Sequence, residues 1–302
     1  VARTDAAGFT IGNKGYICGG YNGKTTRLAD TWEYDIDNDW WTQRADMPGT
    51  VRNAATGFPV GNKGYITTGY NPDQKYLADT WEYDPETNTW RQMDDFKGGA
   101  RYYALGFGID NYGYVGTGYN DNYLKDFYRF DPTAAAGSQW TIVNGFGGQK
   151  RQGATAFVIN GKAYVCGGQN NNSDVSDFWR FDPSAATPWT QLRDIANTSD
   201  DDYDDDYTSI VRSYGVSFVI DGKAYLTLGS TAGGSYYSNY WIYDPETDLW
   251  EGDDLTAFEG STRIHAVCFS TGTRGIIATG GSGSSSYFDD TWELKPYEYE
   301  EE

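Results

Sequence analysis

The chain has 302 residues, 43 acidic against 23 basic side chains and a formal net charge of −20. With no basic face and no polybasic run, nucleic acid is excluded as a partner, and no apolar stretch reaches the roughly 18 residues of a membrane-spanning helix. Aromatics at 17% and 38 glycines point to strands and turns rather than helices.

Six copies of a unit of about fifty residues fill the chain, which predicts one supersecondary unit repeated around a shared core. The first, 3–51, opens on Arg3 and continues through the turn Gly12-Asn13-Lys14-Gly15 to the strand Tyr16-Ile17-Cys18, ending on Gly19-Gly20. A loop leads to Asp30-Thr31-Trp32-Glu33-Tyr34-Asp35, and Trp41 marks a fourth strand. The second unit, 52–100, repeats this as Arg52, Lys63-Gly64-Tyr65-Ile66-Thr67-Thr68-Gly69, Asp79-Thr80-Trp81-Glu82-Tyr83-Asp84 and Trp90. The third, 101–150, has Arg101, Gly118, Asp126, Asp131-Pro132 and Trp140. In the fourth, 151–211, apolar alternation over Ala154–Ile159 reads as a strand; Asn160-Gly161 supplies the positive φ angles of a two-residue hairpin, before Gly168, Asp177 and Trp189. The fifth, 212–262, carries Arg212, Asp221-Gly222, Gly229, Asn239 and Trp250. The sixth, 263–302, has Arg263, Gly280 and Asp290-Thr291-Trp292-Glu293-Leu294, with no tryptophan after it. Its closing strand is expected to come from upstream of Val1, leaving the last blade incomplete.

An apolar strand, a glycine pair, an acidic–aromatic strand and a spaced tryptophan resemble the Kelch repeat, over the whole chain. The glycine pair is intact only at Gly19-Gly20 and Gly167-Gly168; elsewhere its first position is Thr68, Thr117, Leu228 or Thr279. The resemblance implies an all-β, six-bladed propeller with four-stranded antiparallel blades in a single domain. The tryptophans Trp41, Trp90, Trp140, Trp189 and Trp250 are expected to be buried between blades. Cys18 and Cys166, at the same place in different units, are expected to be small buried strand residues.

Alternating strand direction puts the loops between strands two and three on one face with the connections between blades, and function is expected there. Those loops begin Tyr21-Asn22, Tyr70-Asn71, Tyr119-Asn120, Gln169-Asn170, Ser230-Thr231 and Gly281-Ser282. Tyr21, Tyr70, Tyr119, Asn120 and Asn170 are therefore candidate ligand contacts for a sugar or a protein. The same residues also suit plain turns. Arg3, Arg52, Arg101, Arg151, Arg212 and Arg263 open every unit. As a ring at the channel mouth they would hold a carboxylate; as structural residues each would pair with a neighbouring Asp.

The arginine spacing of 49, 49, 50, 61 and 51 residues locates one insertion, Asn197–Ser209, with six Asp in seven positions. Asp200, Asp202, Asp204 and Asp206 are candidate calcium ligands, the alternative being a solvated, mobile loop. The loop is expected to rise on the ligand-facing side. No other cofactor is predicted. Galactose-oxidase-type enzymes share the architecture, but their copper site needs two histidines and this chain has only His265, read as structural. Gly19–Thr25 lacks phosphate-loop spacing, and neither zinc spacing nor a nucleophile elbow occurs. The leading expectation is a monomeric, non-catalytic propeller, secreted, periplasmic or at the cell surface, binding a glycan or a protein. The alternatives are a sugar-acid enzyme resembling the sialic acid mutarotases found among bacterial Kelch propellers, and a scaffold for protein–protein interaction.

Overall fold

A computed structural model describes residues 1–23, 26–252 and 256–296. The chain forms six antiparallel blades around one axis. In blade one, Ala7–Ile11, Lys14–Cys18, Thr31–Asp35 and Trp40–Arg44 pair in order from the axis outward. Blades two to five repeat this from inner strands Thr56–Val60, Leu105–Ile109, Thr155–Ile159 and Val216–Ile220. Burial alternates along the inner strands of blades two, three and four and is nearly continuous along the second strands, as expected where a strand lies between two neighbouring blades. Asn160 and Gly161, at φ 50° and 71°, and Asp221 and Gly222, at 50° and 80°, make the tight hairpins.

Each inner strand packs on that of the next blade, and that of blade six, Val267–Ser270, packs on that of blade one, which closes the ring. Blade six has three strands among the described residues, Val267–Ser270, Gly275–Ala278 and Thr291–Leu294; residues 297–302 lie outside them. Closure is completed by Arg3 N donating to Phe288 O at 3.1 Å, Gly280 N to Arg3 O at 2.9 Å, and Trp41 Nε1 to Thr291 Oγ1 at 3.0 Å.

The core lies between blades, as stacks of aromatic rings. Trp140, Trp189 and Trp250 are buried, and each reaches the preceding blade: Trp250 lies 5.6 Å from Phe178, Trp189 4.8 Å from Phe127, and Trp140 6.3 Å from Phe58. Trp41 and Trp90 depart from expectation in being only half-buried. Trp90 still anchors its edge by donating to Ala45 O at 2.8 Å. Cys18 and Cys166 are buried strand residues, as their position implied.

The recurring glycine has a geometric cause. Gly20 sits at φ 100°, and a Cβ there would lie 2.8 Å from Thr4 O. Its amide donates to Arg52 O of the next blade, and Gly69, Gly118, Gly168 and Gly229 repeat the link to Arg101, Arg151, Arg212 and Arg263. The position before it needs only a left-handed backbone, which Thr68, Thr117, Leu228 and Thr279 adopt at φ 58–63°.

Candidate functional site

The six arginines are the most completely buried large side chains of the protein, at 0–1% exposure. Their second role, as structural residues, is what the geometry displays. Arg3 holds Asp30 through two bonds of 2.8 and 2.7 Å, Arg52 holds Asp79 at 2.7 and 2.5 Å, and Arg101 holds Asp126 at 2.6 and 2.9 Å. Arg151 pairs with Asp177 and Arg263 with Asp290. A further donor of each reaches the carbonyl before the recurring glycine, for example Arg52 Nη1 to Thr68 O at 3.0 Å. Burial alone would raise the Asp30, Asp79 and Asp290 carboxyls; the guanidinium and tryptophan hydrogen bonds outweigh it and hold all three below the usual range. These guanidinium groups are engaged within the blades, so they do not form an open anion-binding ring. Blade five departs from the pattern: Asn239 replaces the aspartate, and burial pushes Arg212 down to about 10.

Two residues after each arginine the chain reaches the axis. Asp5, Ala54, Tyr103, Gly153, Tyr214 and His265 all have φ between 51° and 64°. They join in a closed ring of main-chain bonds: Ala54 N to Asp5 O, Tyr103 N to Ala54 O, Gly153 N to Tyr103 O, Tyr214 N to Gly153 O, His265 N to Tyr214 O, and Asp5 N to His265 O. The backbone is six-fold but the side chains are not. Asp5 Oδ1 lies 3.0 Å from His265 Nδ1 and accepts the Tyr103 hydroxyl at 2.7 Å. The His265 ring stacks on Tyr103 at 5.0 Å and meets Tyr214 at 4.3 Å. Gln152 and Gln169 amide groups meet the Tyr214 hydroxyl at 2.7 and 2.6 Å. Tyr103 of blade three reaches Asp5, Tyr214 and His265 of blades one, five and six only by crossing the axis, so this cluster floors the channel mouth. Beside it lies an open cavity of about 200 Å³ lined by small residues such as Ala6, Gly57, Gly106, Ala156, Ser217 and Cys268. Burial holds the His265 imidazole below its usual pKa against the opposing pull of Asp5, and raises Tyr103 and Tyr214 above theirs.

A collar surrounds this floor. The residue after each arginine bridges the residue after each recurring glycine: Thr4 with Tyr21, Asn53 with Tyr70, Tyr102 with Tyr119, Gln152 with Gln169, Ser213 with Ser230, Ile264 with Gly281. Tyr21, Tyr70 and Tyr119 thus stand at the mouth. From Tyr119 a half-buried aromatic belt runs through Tyr102, 5.7 Å away, to Tyr76, which stacks parallel to Tyr102 at 5.6 Å, and inward to Tyr103 at 4.7 Å. Arg27 lies 4.4 Å over the Tyr21 ring with its Nε on Asn53 Oδ1 at 2.7 Å. Asn120 donates its backbone N–H to Asn122 O, and Asn170 pairs with Ser173 in a short hairpin; both are turn residues beside the collar.

The acidic insertion differs from both expectations made for it. Asp204 is fully buried, and both its oxygens are engaged: Oδ2 accepts Thr198 N and Ser199 N at 2.9 Å each, and Oδ1 the Ser199 hydroxyl at 3.0 Å. Asp200, Asp202 and Asp206 point to solvent, and among the described residues no three potential ligands converge on a metal position. Like charges spread apart in water; only the one with backbone donors turns inward. Nor is the loop loose. Tyr207 is buried against Trp241 at 5.9 Å, and its hydroxyl accepts Trp250 N at 2.7 Å. The insertion is a buttress on the outer strands of blade five.

Sequence missed the floor. His265 was read alone because Asp5 is 260 residues away by number. The available signal was positional: two residues past each repeated arginine stand Asp5, Ala54, Tyr103, Gly153, Tyr214 and His265, while the position after them is alanine in every unit but the fifth.

Family models match in the same terms. The KLHDC2/KLHL20/DRC7 Kelch-repeats domain matches residues 1–150 and the Kelch motif residues 150–192. The chain belongs to the Kelch-repeat propeller family. It is 29% identical over 164 residues to proteins named N-acetylneuraminate epimerase from Yersinia pestis and Yersinia pseudotuberculosis, a match covering 45% of this Kelch chain. It spans 41% of the length of those relatives. A solved structure described as "Structure of YjhT" superposes with a TM-score of 0.77 at 15% identity, over 96% of this chain and 94% of that one, which shows a shared fold. Among the described residues no helix is long and apolar enough to cross a membrane.

Proposed function

We propose that this Kelch propeller binds an uncharged, hydroxyl-rich glycan in the funnel at the loop-bearing mouth of its channel. The observation that carries the reading is the aromatic belt Tyr76–Tyr102–Tyr119, continuous with Tyr103 on the floor. Tyrosine offers flat apolar area for sugar C–H faces and a hydroxyl for their edges, at low cost in side-chain entropy. Amides at Asn53, Gln152 and Gln169 supply donors and acceptors around it. Titration calorimetry against a panel of neutral oligosaccharides tests the reading. A binding sugar is expected to lose roughly 10-fold or more in affinity to Tyr102→Ala, in line with aromatic anchors in binding sites. A protein that takes none of the panel, or a Tyr102→Ala variant that binds equally well, rejects it.

A second reading, a sugar-acid enzyme, is favoured by the Yersinia relatives' name and by the Asp5–His265 pair, which has the form of an oriented acid–base group. In that case Arg27, rather than the six engaged arginines, is the cation placed to meet a carboxylate. Conversion of N-acetylneuraminate followed by NMR, with Arg27→Ala as control, distinguishes the two.

A further inference from the structure

We propose that the sugar is a chain, and that it leaves the funnel sideways across the rim between blades three and four. The inference rests on the glycan-binding reading and names its ligand class: an oligosaccharide held over several units rather than a single sugar. The loops between strands two and three form the rim, and neighbouring loops are tied to one another at five junctions. Between blades one and two, Arg27 lies 5.8 Å over the Tyr70 ring and donates Nε to Asn53 Oδ1 at 2.7 Å. Between two and three, the Tyr76 hydroxyl donates to Asp121 Oδ1 at 2.7 Å. Between four and five, Ala232 N donates to Asp174 Oδ1 at 2.8 Å, and between five and six, Gly283 N donates to the Tyr236 hydroxyl at 3.0 Å. Between six and one, Tyr287 meets Tyr21 edge-on at 5.8 Å. The junction of blades three and four lacks such a tie. Among the described residues no hydrogen bond, ion pair or ring contact joins 119–123 to 169–174.

The aromatic belt leads to that junction. Tyr76 stacks on Tyr102 at 5.6 Å, Tyr102 meets Tyr119 at 5.7 Å, and Tyr119 meets Tyr123 edge-on at 5.0 Å. All four rings are half-buried, so each keeps surface for a ligand. Four rings in series offer more flat apolar area than one sugar covers. Polar groups stand ready on both sides of the junction. The side-chain amides of Asn122 on blade three and of Asn171 and Asn172 on blade four are exposed and have no hydrogen-bond partner among the described residues. Asparagine in these loops can instead serve the fold: Asn71 donates to Val51 O at 2.8 Å and accepts Asp73 N at 2.9 Å. The free amides therefore cluster where the rim is untied, and each offers donors and an acceptor to a sugar hydroxyl. A chain cannot continue down the axis, because Asp5, Tyr103, Tyr214 and His265 close the floor. Once one unit is held at Tyr102, the next reaches Tyr123 and the amides as an intramolecular contact, so added units raise affinity without a second loss of translational freedom.

The test is calorimetric titration with cello-, manno- and xylo-oligosaccharides of two, four and six units, on wild type, Tyr123→Ala, Asn122→Ala and Tyr102→Ala, with thermal melts reporting folding. In the series that binds, wild-type affinity is expected to rise roughly 10-fold or more from two to six units, the scale of one added aromatic anchor. Tyr123→Ala should bind the two-unit sugar as wild type does and lose the rise. Asn122→Ala, an exposed change that leaves the rings in place, should reduce the rise and spare the two-unit sugar. Tyr102→Ala should weaken every length by the same factor. A wild-type affinity that is flat with length overturns the sideways path and leaves the glycan reading standing, provided Tyr102→Ala still weakens binding. A rise that survives both Tyr123→Ala and Asn122→Ala overturns it as well, since the chain then leaves elsewhere. If no member of any series binds, the path and the glycan reading fall together.

Discussion

Blade five contains a buried arginine without its carboxylate, and restoring that carboxylate should stabilise the protein. Arg212 is 1% exposed and, among the described residues, donates only to uncharged oxygens: Ile210 O, Leu228 O, Ser209 O, Asn239 O and Asn239 Oδ1. Burial lowers it to about 10 from an ordinary 12.5; at 1.36 kcal/mol per unit that is roughly 3 kcal/mol of uncompensated desolvation. Asn239→Asp puts a carboxylate where Asp30, Asp79, Asp126, Asp177 and Asp290 stand in the other blades. The Ser209 hydroxyl, which now accepts Asn239 Nδ2 at 2.7 Å and Trp241 Nε1 at 3.2 Å, can turn to donate to it. Recovery of part of the deficit, about 1–3 kcal/mol, corresponds to a Tm rise of roughly 2–5 °C for a chain of this length. The new carboxyl should have a depressed folded pKa, as Asp30, Asp79 and Asp290 do. The gain is then present above the unfolded value of about 4 and lost as pH falls through the folded value. Calorimetric melts at pH 7 and pH 3 check both. An unchanged or lower Tm at pH 7 refutes the argument that the other five pairs exist to neutralise a buried guanidinium.

Removing a partner should have the opposite effect. Asp79→Ala leaves Arg52 buried without a counter-charge and is expected to cost about 3–5 kcal/mol, read from denaturant unfolding; a loss below 1 kcal/mol contradicts the pairing account. Tyr207→Phe strips the acceptor from the buried Trp250 N–H and should cost about 1–3 kcal/mol, while melts in calcium and in chelator should coincide, since Asp204 is engaged by backbone donors. A calcium-dependent Tm would reinstate the insertion as a metal site.

The repeat made the architecture legible because its period, hairpin dipeptides and glycines are local signals. The six-bladed, four-stranded plan followed from them, while the short hairpins within the loops, such as Tyr70–Asn71 with Lys75–Tyr76, did not. The arginines were legible as positions but ambiguous in role, because pairing with Asp30 or Asp79 depends on contacts 27 residues apart that no local pattern encodes. The half-buried state of Trp41 and Trp90, against the buried Trp140, Trp189 and Trp250, was not legible because all five hold the same place in the repeat. In the insertion, composition suggested repulsion and solvation, but the tyrosines decided the outcome: Tyr207 had an aromatic wall to enter. The floor was hidden for a geometric reason. A propeller brings one residue of each blade to the axis, so Asp5 and His265 meet although nearly the whole chain separates them, and ring closure is the only step that joins them.

The most direct test of the account is where a sugar sits. A crystal structure of the protein soaked with a neutral oligosaccharide that binds in calorimetry should show a sugar ring against Tyr102 and Tyr119. A sugar bound instead at the tight-turn face, around Asn160-Gly161 and Asp221-Gly222, would contradict it.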